Sequence, residues 1–319
     1  MEQEKGNISV SIVIPLYNKE EHIQRTLLSV LNQSFQFFEI VVVDDGSSDN
    51  SLECVKQIED ERISIISQSN QGVSAARNRG IQEAKFNYIA LLDADDEWDS
   101  GYLTEQVNLI SKYPDCSVFA CAYQFKSYTG KVEQLKLNKV PFTTQTGILT
   151  NYFEVASCSH PPLWTSAVVV EKQAILAVGG FPVGVKSGED LLTWAKLAIQ
   201  YKMAYSRKVC ADFVLDESHS IDKKPLRVHD SDDFVGSELK NLYKNSIPPV
   251  RSSLKKYLSL WYKMKASGFL RLSDKSGTIK YSLVSIRYNP RNWKVYIFIL
   301  MVLLPQKVQI KVRKMLVNR

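Results

Sequence analysis

The chain predicts an α/β fold: a Rossmann-like, mostly parallel sheet sandwiched by helices, continued by a basic, amphipathic helical C-terminal extension. Three observations carry this. Short β-branched runs alternate with stretches of helical spacing, which means βαβ crossovers. Polar clusters close several of those runs, so they gather on one edge of the sheet. The charge balance then breaks sharply near residue 240.

The elements follow in order. Ile8 to Pro15 is a β-branched apolar run that ends in Pro15-Leu16-Tyr17-Asn18. Asn18 is expected to open a helix, with Glu21 at the capping-box position and Ile23, Leu27, Val30 and Leu31 at helical spacing. Glu39 to Val43 is a second buried strand, closed by Asp44-Asp45-Gly46-Ser47-Ser48-Asp49. Arg62 to Ser67 reads as a third, followed by Asn70-Gln71-Gly72 and a helix through Ala84. On that helix Arg77 falls within the arc of Val73, Ala76, Gly80, Ile81 and Ala84, whereas Arg79 points away to solvent. An inward arginine needs an anion, and either a nucleotide diphosphate or an acid such as Asp45 would serve.

The fourth run, Tyr88 to Leu92, delivers Asp93-Ala94-Asp95 at its end. Asp93, Asp95, Asp96, Glu97 and Asp99 crowd together there. Carboxylates so close repel one another unless a cation lies among them. Mg²⁺-type ions take one or two carboxylates plus substrate phosphates, so a metal–diphosphate ligand is expected, with Asp96 as an auxiliary acid.

Composition agrees with an enzyme-sized core. The chain has 319 residues and is 45% hydrophobic, enough for a full α/β core and an extension. Its five cysteines form no Cys-x-x-Cys pair and read as reduced thiols of a cytoplasmic protein. The charged start Met1-Glu2-Gln3-Glu4-Lys5 runs into the first strand, and no signal peptide is expected.

The overall charge of +6 conceals an asymmetry. From Lys240 onward there are 18 Lys and Arg against one acid, Asp274, a net of +17; the preceding residues carry −11. An anionic partner for the tail is implied. Leu254, Tyr257, Leu258, Trp261 and Met264 have helical spacing between lysines, and Val295 to Leu304 is continuously apolar, next to Trp293. Beyond it Val308, Val312 and Met315 follow one helical stripe while Lys307, Lys311 and Lys314 follow another. Ten apolar residues are too few to span a bilayer, which takes about 20. The expected partner is therefore an anionic membrane surface. Nucleic acid is not expected, because no recognition motif accompanies the charge.

The ordered set Ser11-Ile12-Val13-Ile14-Pro15-Leu16-Tyr17-Asn18, Val43-Asp44-Asp45-Gly46-Ser47-Ser48-Asp49, Asn70-Gln71-Gly72 through Arg77-Asn78, and Asp93-Ala94-Asp95-Asp96 resembles the family-2 glycosyltransferases. Gly188-Glu189-Asp190 before Leu191-Leu192-Thr193-Trp194 resembles that family's Glu-Asp element at a helix start. The resemblance spans roughly residues 7 to 215 and implies the GT-A fold, a nucleotide-activated sugar donor (UDP-sugar as the expectation), Mg²⁺ or Mn²⁺ as cofactor, and inversion at the anomeric carbon. It divides the chain into a nucleotide-sugar-binding half (1–112), an acceptor-binding half (113–239) and the extension (240–319).

By that resemblance Asp93 faces the ribose and Asp95 ligates the metal, with Asp93 beside it. Asp44 or Asp45, the latter favoured, takes the nucleobase, and Pro15, Tyr17, Asn18, Asn70, Gly72, Arg77 and Ala94 complete the nucleotide-sugar site. A hydroxyl acceptor needs a carboxylate to take its proton. Asp190 is the candidate base, with Glu189 beside it, and Trp164, Trp194 and His160 are candidates for the acceptor side. The expected enzyme transfers a hexosyl or N-acetylhexosaminyl group to a glycan or lipid-linked glycan in building a bacterial surface polysaccharide, at the inner face of the cytoplasmic membrane.

Two other classes compete. A sugar nucleotidyltransferase would show a Gly-rich basic loop after the first strand; Pro15-Leu16-Tyr17-Asn18 stands there instead. A non-catalytic sugar-nucleotide-binding protein would tolerate loss of the acids, and all of them are present.

Overall fold

The computed structural model describes residues 8–127, 129–215, 232–305 and 308–309. The chain forms two compact units, Met1–Val185 with Glu189–Leu215, and Lys186–Gly188 with Asp216–Arg319.

In the first unit β1 (Val10–Leu16), α1 (Ile23–Leu31), β2 (Phe38–Asp44), α2 (Ser51–Lys56), β3 (Ile63–Ser67), α3 (Val73–Glu83) and β4 (Tyr88–Leu91) follow the predicted alternation. Then come β5 (Glu97–Trp98), α4 (Tyr102–Lys112), β6 (Val118–Ser127), β7 (Val132–Gln134), β8 (Thr146–Ile148), α5 (Tyr152–Cys158), β9 (Val168–Glu171), α6 (Lys172–Ala177), α7 (Glu189–Gln200) and β10 (Met203–Leu215). The sheet runs β3-β2-β1-β4-β9-β6-β10-β5, with β7 on β6 and β8 on β10. The first four are parallel. β9 lies antiparallel between β4 and β6, so the sheet as a whole is mixed. The strands with clear crossover spacing all lie in the first ninety residues, which is why only the parallel part was legible.

Helices on both faces explain why β1 and β2 are buried along nearly their whole length. α3 lies close against them because Gly80 carries no side chain; a Cβ there would collide with Val13. The register sets Leu16 opposite Asp44 and Val13 opposite Leu91, which brings the carboxyl ends of β1, β2 and β4 to one edge.

One expectation is corrected here. Asn18 does not open a helix: it has φ of 50°, in the left-handed region that asparagine tolerates, and α1 begins at Ile23. The side chain serves instead as a tie between loops, as described below.

The second unit contains α8 (Phe234–Asn245), α9 (Val250–Arg271), α10 (Lys275–Tyr288) and α11 (Trp293–Met301). Leu254, Tyr257, Leu258 and Trp261 of α9 form its interior, so this stripe is core and only Met264 of the predicted set is exposed. Lys265 is also buried, 3.0 Å from Asp233, the residue that caps α8 by accepting from Gly236 N. No helix among the described residues is long and apolar enough to cross a membrane. The segment holding His219 and His229, and the expected stripe over Lys307, Lys311, Val312, Lys314 and Met315, lie outside the described residues.

Candidate active site

The strand ends are tied together by side chains. Asn18 N donates to Ser47 Oγ at 3.1 Å and its Oδ1 accepts from Ser48 N at 2.8 Å, joining the ends of β1 and β2. Tyr17 stands beside this link with its ring exposed, and Pro15 is half-buried.

Asp44 and Asp45 are both buried. Asp44 Oδ1 accepts from Ser47 N at 3.1 Å. Asp45 is more fully engaged: Oδ1 accepts from Gln68 Nε2 (2.8 Å) and Gln71 N (2.9 Å), and Oδ2 from Gly72 N (2.8 Å). It therefore orders the turn before α3, where Gly72 has φ of +89°. Asn70 is exposed on that turn, and its backbone passes so near Gly46 that a Cβ there would lie 3.0 Å from Asn70 N.

Asp93, Ala94 and Asp95 follow β4. Ala94 is buried, and its carbonyl accepts from Thr26 Oγ1 on α1 at 3.0 Å. Asp93 N donates to Ser166 Oγ at 3.1 Å. Asp95 Oδ2 lies 2.5 Å from Lys19 Nζ, and Arg25 Nη2 donates to the Asp95 carbonyl at 3.1 Å. Both carboxylates remain accessible to water, at 24% and 22% side-chain exposure. Among the described residues no three His, Cys, Asp or Glu side chains converge as a complete cage. Two accessible acids completed by phosphate oxygens are a Mg²⁺ or Mn²⁺ arrangement, and an ammonium on one of them marks the place as one that takes positive charge. The residues present fit such an ion.

Arg77 is the central cation of the site. It is 4% exposed and lies 5.1 Å over the Phe181 ring. Its Nη2 donates to Asp93 Oδ1 at 2.6 Å, and its Nη1 is 3.5 Å from Glu189 Oε1. Of the expected partners, a diphosphate or an acid such as Asp45, the structure supplies an acid, and it is Asp93, since Asp45 is committed to the turn before α3. Burial works against its charge, but Asp93 above all, then Glu189 and Asp190, outweigh this and raise its pKa. Arg79 is exposed and pairs with Glu83 along α3, as its position on the helix required.

Through Arg77 the Glu189-Asp190 start of α7 is joined to the end of β4. Asp190 Oδ1 accepts from Leu191 N at 2.7 Å. Burial first, and the neighbouring Glu189 second, push its pKa up to about 6, against the opposing pull of Arg77. A carboxyl poised there can exchange a proton near neutral pH.

The three candidates for the acceptor side differ in their surroundings. Trp194 is fully buried and packs edge-on against Phe181, a core position that leaves no face for an acceptor. Trp164 is half-buried, donating from Nε1 to Asp96 at 3.2 Å and packed on Phe213 and Tyr123. His160 accepts at Nδ1 from Lys136 N at 3.1 Å and meets the edge of Phe125, so it pins the chain before β8. Asp96, expected as an auxiliary acid, is instead internal. It accepts from Ser166 Oγ, Trp164 Nε1 and Val214 N, and burial, then the charges of Asp95 and Asp93, push its pKa well up.

Sequence reasoning missed Lys19, Ser166, Phe181 and Tyr123. Lys19 directly follows the Tyr17-Asn18 motif, the one available hint. The others are ordinary apolar or small residues whose role exists only once distant segments meet. Tyr123 is close enough to Asp190 for that charge, after burial, to raise its hydroxyl pKa.

The sequence profile of glycosyl transferase family 2 matches residues 11–166, the stretch that contains all three strand ends. Residues 11–166 are a glycosyl transferase family 2 domain. Relatives agree. AmsB, an amylovoran biosynthesis glycosyltransferase of Erwinia amylovora, is 38% identical over 112 residues, 33% of this chain and 37% of AmsB. Glycosyltransferase GlyA of Streptococcus pneumoniae is 35% identical over 123 residues, 38% of this chain and 18% of GlyA. The aligned stretch spans less than half the length of the curated relatives it matches.

The fold is shared more widely. A crystal structure of S. aureus TarS in complex with UDP-GlcNAc has a TM-score of 0.69 at 18% identity, over 92% of this chain and 84% of that one. Mannosyltransferase PcManGT of Pyrobaculum calidifontis, in complex with GDP-Man and Mn²⁺, has a TM-score of 0.54 at 16% identity, over 90% and 76%. The fold is that of GT-A enzymes, with a helical C-terminal extension.

Proposed function

We propose that this protein is an inverting glycosyltransferase that moves a hexosyl or N-acetylhexosaminyl group from a UDP-sugar to a hydroxyl of a glycan or lipid-linked glycan during assembly of a bacterial surface polysaccharide. One observation carries the reading: Arg77 joins the acids at the end of β4 to the acids at the start of α7. Two sets of carboxylates held by one buried cation suit a reaction with two substrates, one to be held by its diphosphate and one to be deprotonated.

In this reading the nucleobase lies against the exposed Tyr17 ring and the Asp44–Asp45 turn, bordered by Asn70 and Gly72. Pro15 and Asn18 shape that edge. Asp93 faces the ribose, and Asp95, with Asp93, would hold Mg²⁺ or Mn²⁺. The ion when bound would offset the charge that gathers on the departing diphosphate. Lys19 moves its ammonium from Asp95 toward the phosphates. Asp190, ionised above about pH 6, accepts the proton of the acceptor hydroxyl. The hydroxyl oxygen forms its bond to the anomeric carbon on the face opposite the departing diphosphate, so one displacement inverts the configuration. Glu189 stays beside Arg77 and steadies the α7 start.

The bound UDP-GlcNAc of TarS and the GDP-Man and Mn²⁺ of PcManGT support a nucleotide-sugar donor and a divalent ion by likeness of fold. The polysaccharide role rests on the name of relatives such as AmsB. In this reading the enzyme works at the inner face of the cytoplasmic membrane, where a lipid-linked acceptor would be met. The test is release of UDP from a panel of UDP-sugars with and without Mn²⁺, with the anomeric configuration of the product read by NMR. Release from none of them, or a retained configuration, overturns the reading.

A further inference from the structure

α11 is apolar on every side. Of its nine residues, Trp293 to Met301, only Lys294 is charged. Such a helix is normally enclosed all round. Here it is enclosed on one side only. Val295, Phe298, Met301 and the following Val302 are at most 8% exposed and pack into the second unit. Trp293, Tyr296, Leu300 and Leu303 are 55%, 43%, 63% and 81% exposed. Trp293, Tyr296 and Leu300, spaced by three and four residues, fall within about 60° of arc at 100° per residue, and Leu303 follows in the turn after the helix. Adjoining α10 leaves Ile279 and Leu283 exposed as well.

Single exposed apolar residues need no explanation, but a continuous stripe of four large ones marks a contact surface. The charge of the segment that carries it selects the partner. From Lys240 onward the sequence has 18 basic residues against the single acid Asp274. A second copy of the chain would bring the same excess of positive charge and be repelled. The helix cannot cross a bilayer: nine residues reach about 14 Å against roughly 30 Å of hydrocarbon. It can lie along one. Trp and Tyr suit the headgroup level, and the Lys294 ammonium, 5.7 Å from the Trp293 ring, can reach up to phosphates while its stem stays with the apolar stripe.

We propose that the bare face of α11, formed by Trp293, Tyr296 and Leu300 and continued by Leu303 in the turn after it, is the element that docks this protein on an anionic bilayer, lying in the plane of the interface. This deepens the reading of an enzyme that meets a lipid-linked acceptor, and of the two apolar segments expected at the membrane it keeps α11 and drops the α9 stripe, which is core. The excess of lysine and arginine from residue 240 onward would supply a salt-dependent attraction.

The test uses the full chain and no sugar nucleotide. Flotation with vesicles of phosphatidylglycerol and phosphatidylcholine, and of phosphatidylcholine alone, is compared for wild type and for the double variant L300D/L303D. Both leucines are exposed, so the variant should keep the wild-type melting temperature; Leu300→Ala with Leu303→Ala is the milder check. Wild type is expected to float with the anionic vesicles, weakly with the neutral ones, and less as salt rises. The double variant should lose affinity by roughly tenfold or more, since apolar area withdrawn from lipid costs attraction. UDP release in solution should be unchanged in the variant, which keeps this test apart from that of the catalytic reading. Flotation of the variant equal to wild type, or no binding of wild type to anionic vesicles, overturns the proposal. So does a wild-type dimer that the variant dissociates, which would make a second copy the occupant.

Discussion

Arg77 and Asp93 are joined by a charge-assisted hydrogen bond of 2.6 Å between α3 and the end of β4, and the arginine is all but sealed from water. The other end of the same guanidinium faces Glu189. A planar fork can hold two carboxylates at once; a lysine's point charge cannot hold both in fixed geometry.

Arg77→Met should therefore lower turnover on the order of a hundredfold, the size expected when acceptor-side acids drift by about an ångström. It should also lower stability by about 2–3 kcal/mol, less than a fully buried pair would lose because Asp93 retains water. Arg77→Lys should recover most of the stability and little of the turnover. UDP release and thermal melting measure the two separately. A Met variant with wild-type turnover would remove Arg77 from any positioning role.

Asp190 sets a pH dependence whose sign can be worked out. Its pKa in the fold is about 6, raised from 3.8 mainly by burial. The fold therefore holds a proton that the unfolded chain has released. The stabilisation from this proton is complete below about pH 4 and is lost as pH rises through about 6. Asp190→Asn carries no such loss, so relative to wild type it should gain stability between pH 4 and 6, reaching up to about 3 kcal/mol. Activity runs the other way: wild-type turnover should rise through about pH 6 as the base ionises, and the Asn variant should bind donor normally yet turn over poorly. Parallel denaturation and rate profiles across pH check both limbs. A variant that loses donor affinity in step with turnover would place Asp190 in the nucleotide site.

Lys19 and Asp95 give a metal prediction. Asp95→Asn should nearly abolish UDP release, and excess chelator should do the same to wild type. Lys19→Met removes the ammonium that competes for Asp95, so Mn²⁺ should bind more tightly without donor, by several-fold, in calorimetry or electron paramagnetic resonance. With donor present the same variant should turn over more slowly. Unchanged activity of Asp95→Asn would end the metal-dependent reading.

What the sequence disclosed follows from range. β1 to β4 and the inward face of Arg77 were legible because each is set by local periodicity and strand-end chemistry. The identity of the Arg77 partner was not, since Asp93 reaches it only through the order β2-β1-β4 in the sheet. Likewise Trp194 looked like a pocket wall at one turn from Asp190, but burial is decided by Phe181, a residue from a separate segment. Asn18 carried the chemistry of a helix start, and the neighbouring Ser47 and Ser48 claimed it for a loop tie. The α9 stripe and the α11 run were equally apolar on paper; which of them is core depends on which helices cover it.

Asp96 offers the sharpest separation between a structural and a metal-binding acid in the crowded turn after β4. It is 1% exposed and receives three hydrogen bonds, from Ser166 Oγ at 2.5 Å, Val214 N at 3.1 Å and Trp164 Nε1 at 3.2 Å. These tie the turn to the end of β10 and to the segment before β9. Asp96→Ala would leave three donors in the interior with no acceptor, each costing about 1–3 kcal/mol in isolation. The donors share one cavity and can relax together, so the total should be about 3–5 kcal/mol, seen as a large drop in melting temperature. Asp96→Asn keeps the shape and one acceptor oxygen but turns an amide N–H toward a donor, and should lose roughly half as much. Neither change should alter Mn²⁺ affinity measured below the variant's melting transition, because the carboxylate faces inward. An Ala variant that melts like wild type but no longer binds Mn²⁺ would reverse the assignment and make Asp96, alongside Asp95, a ligand.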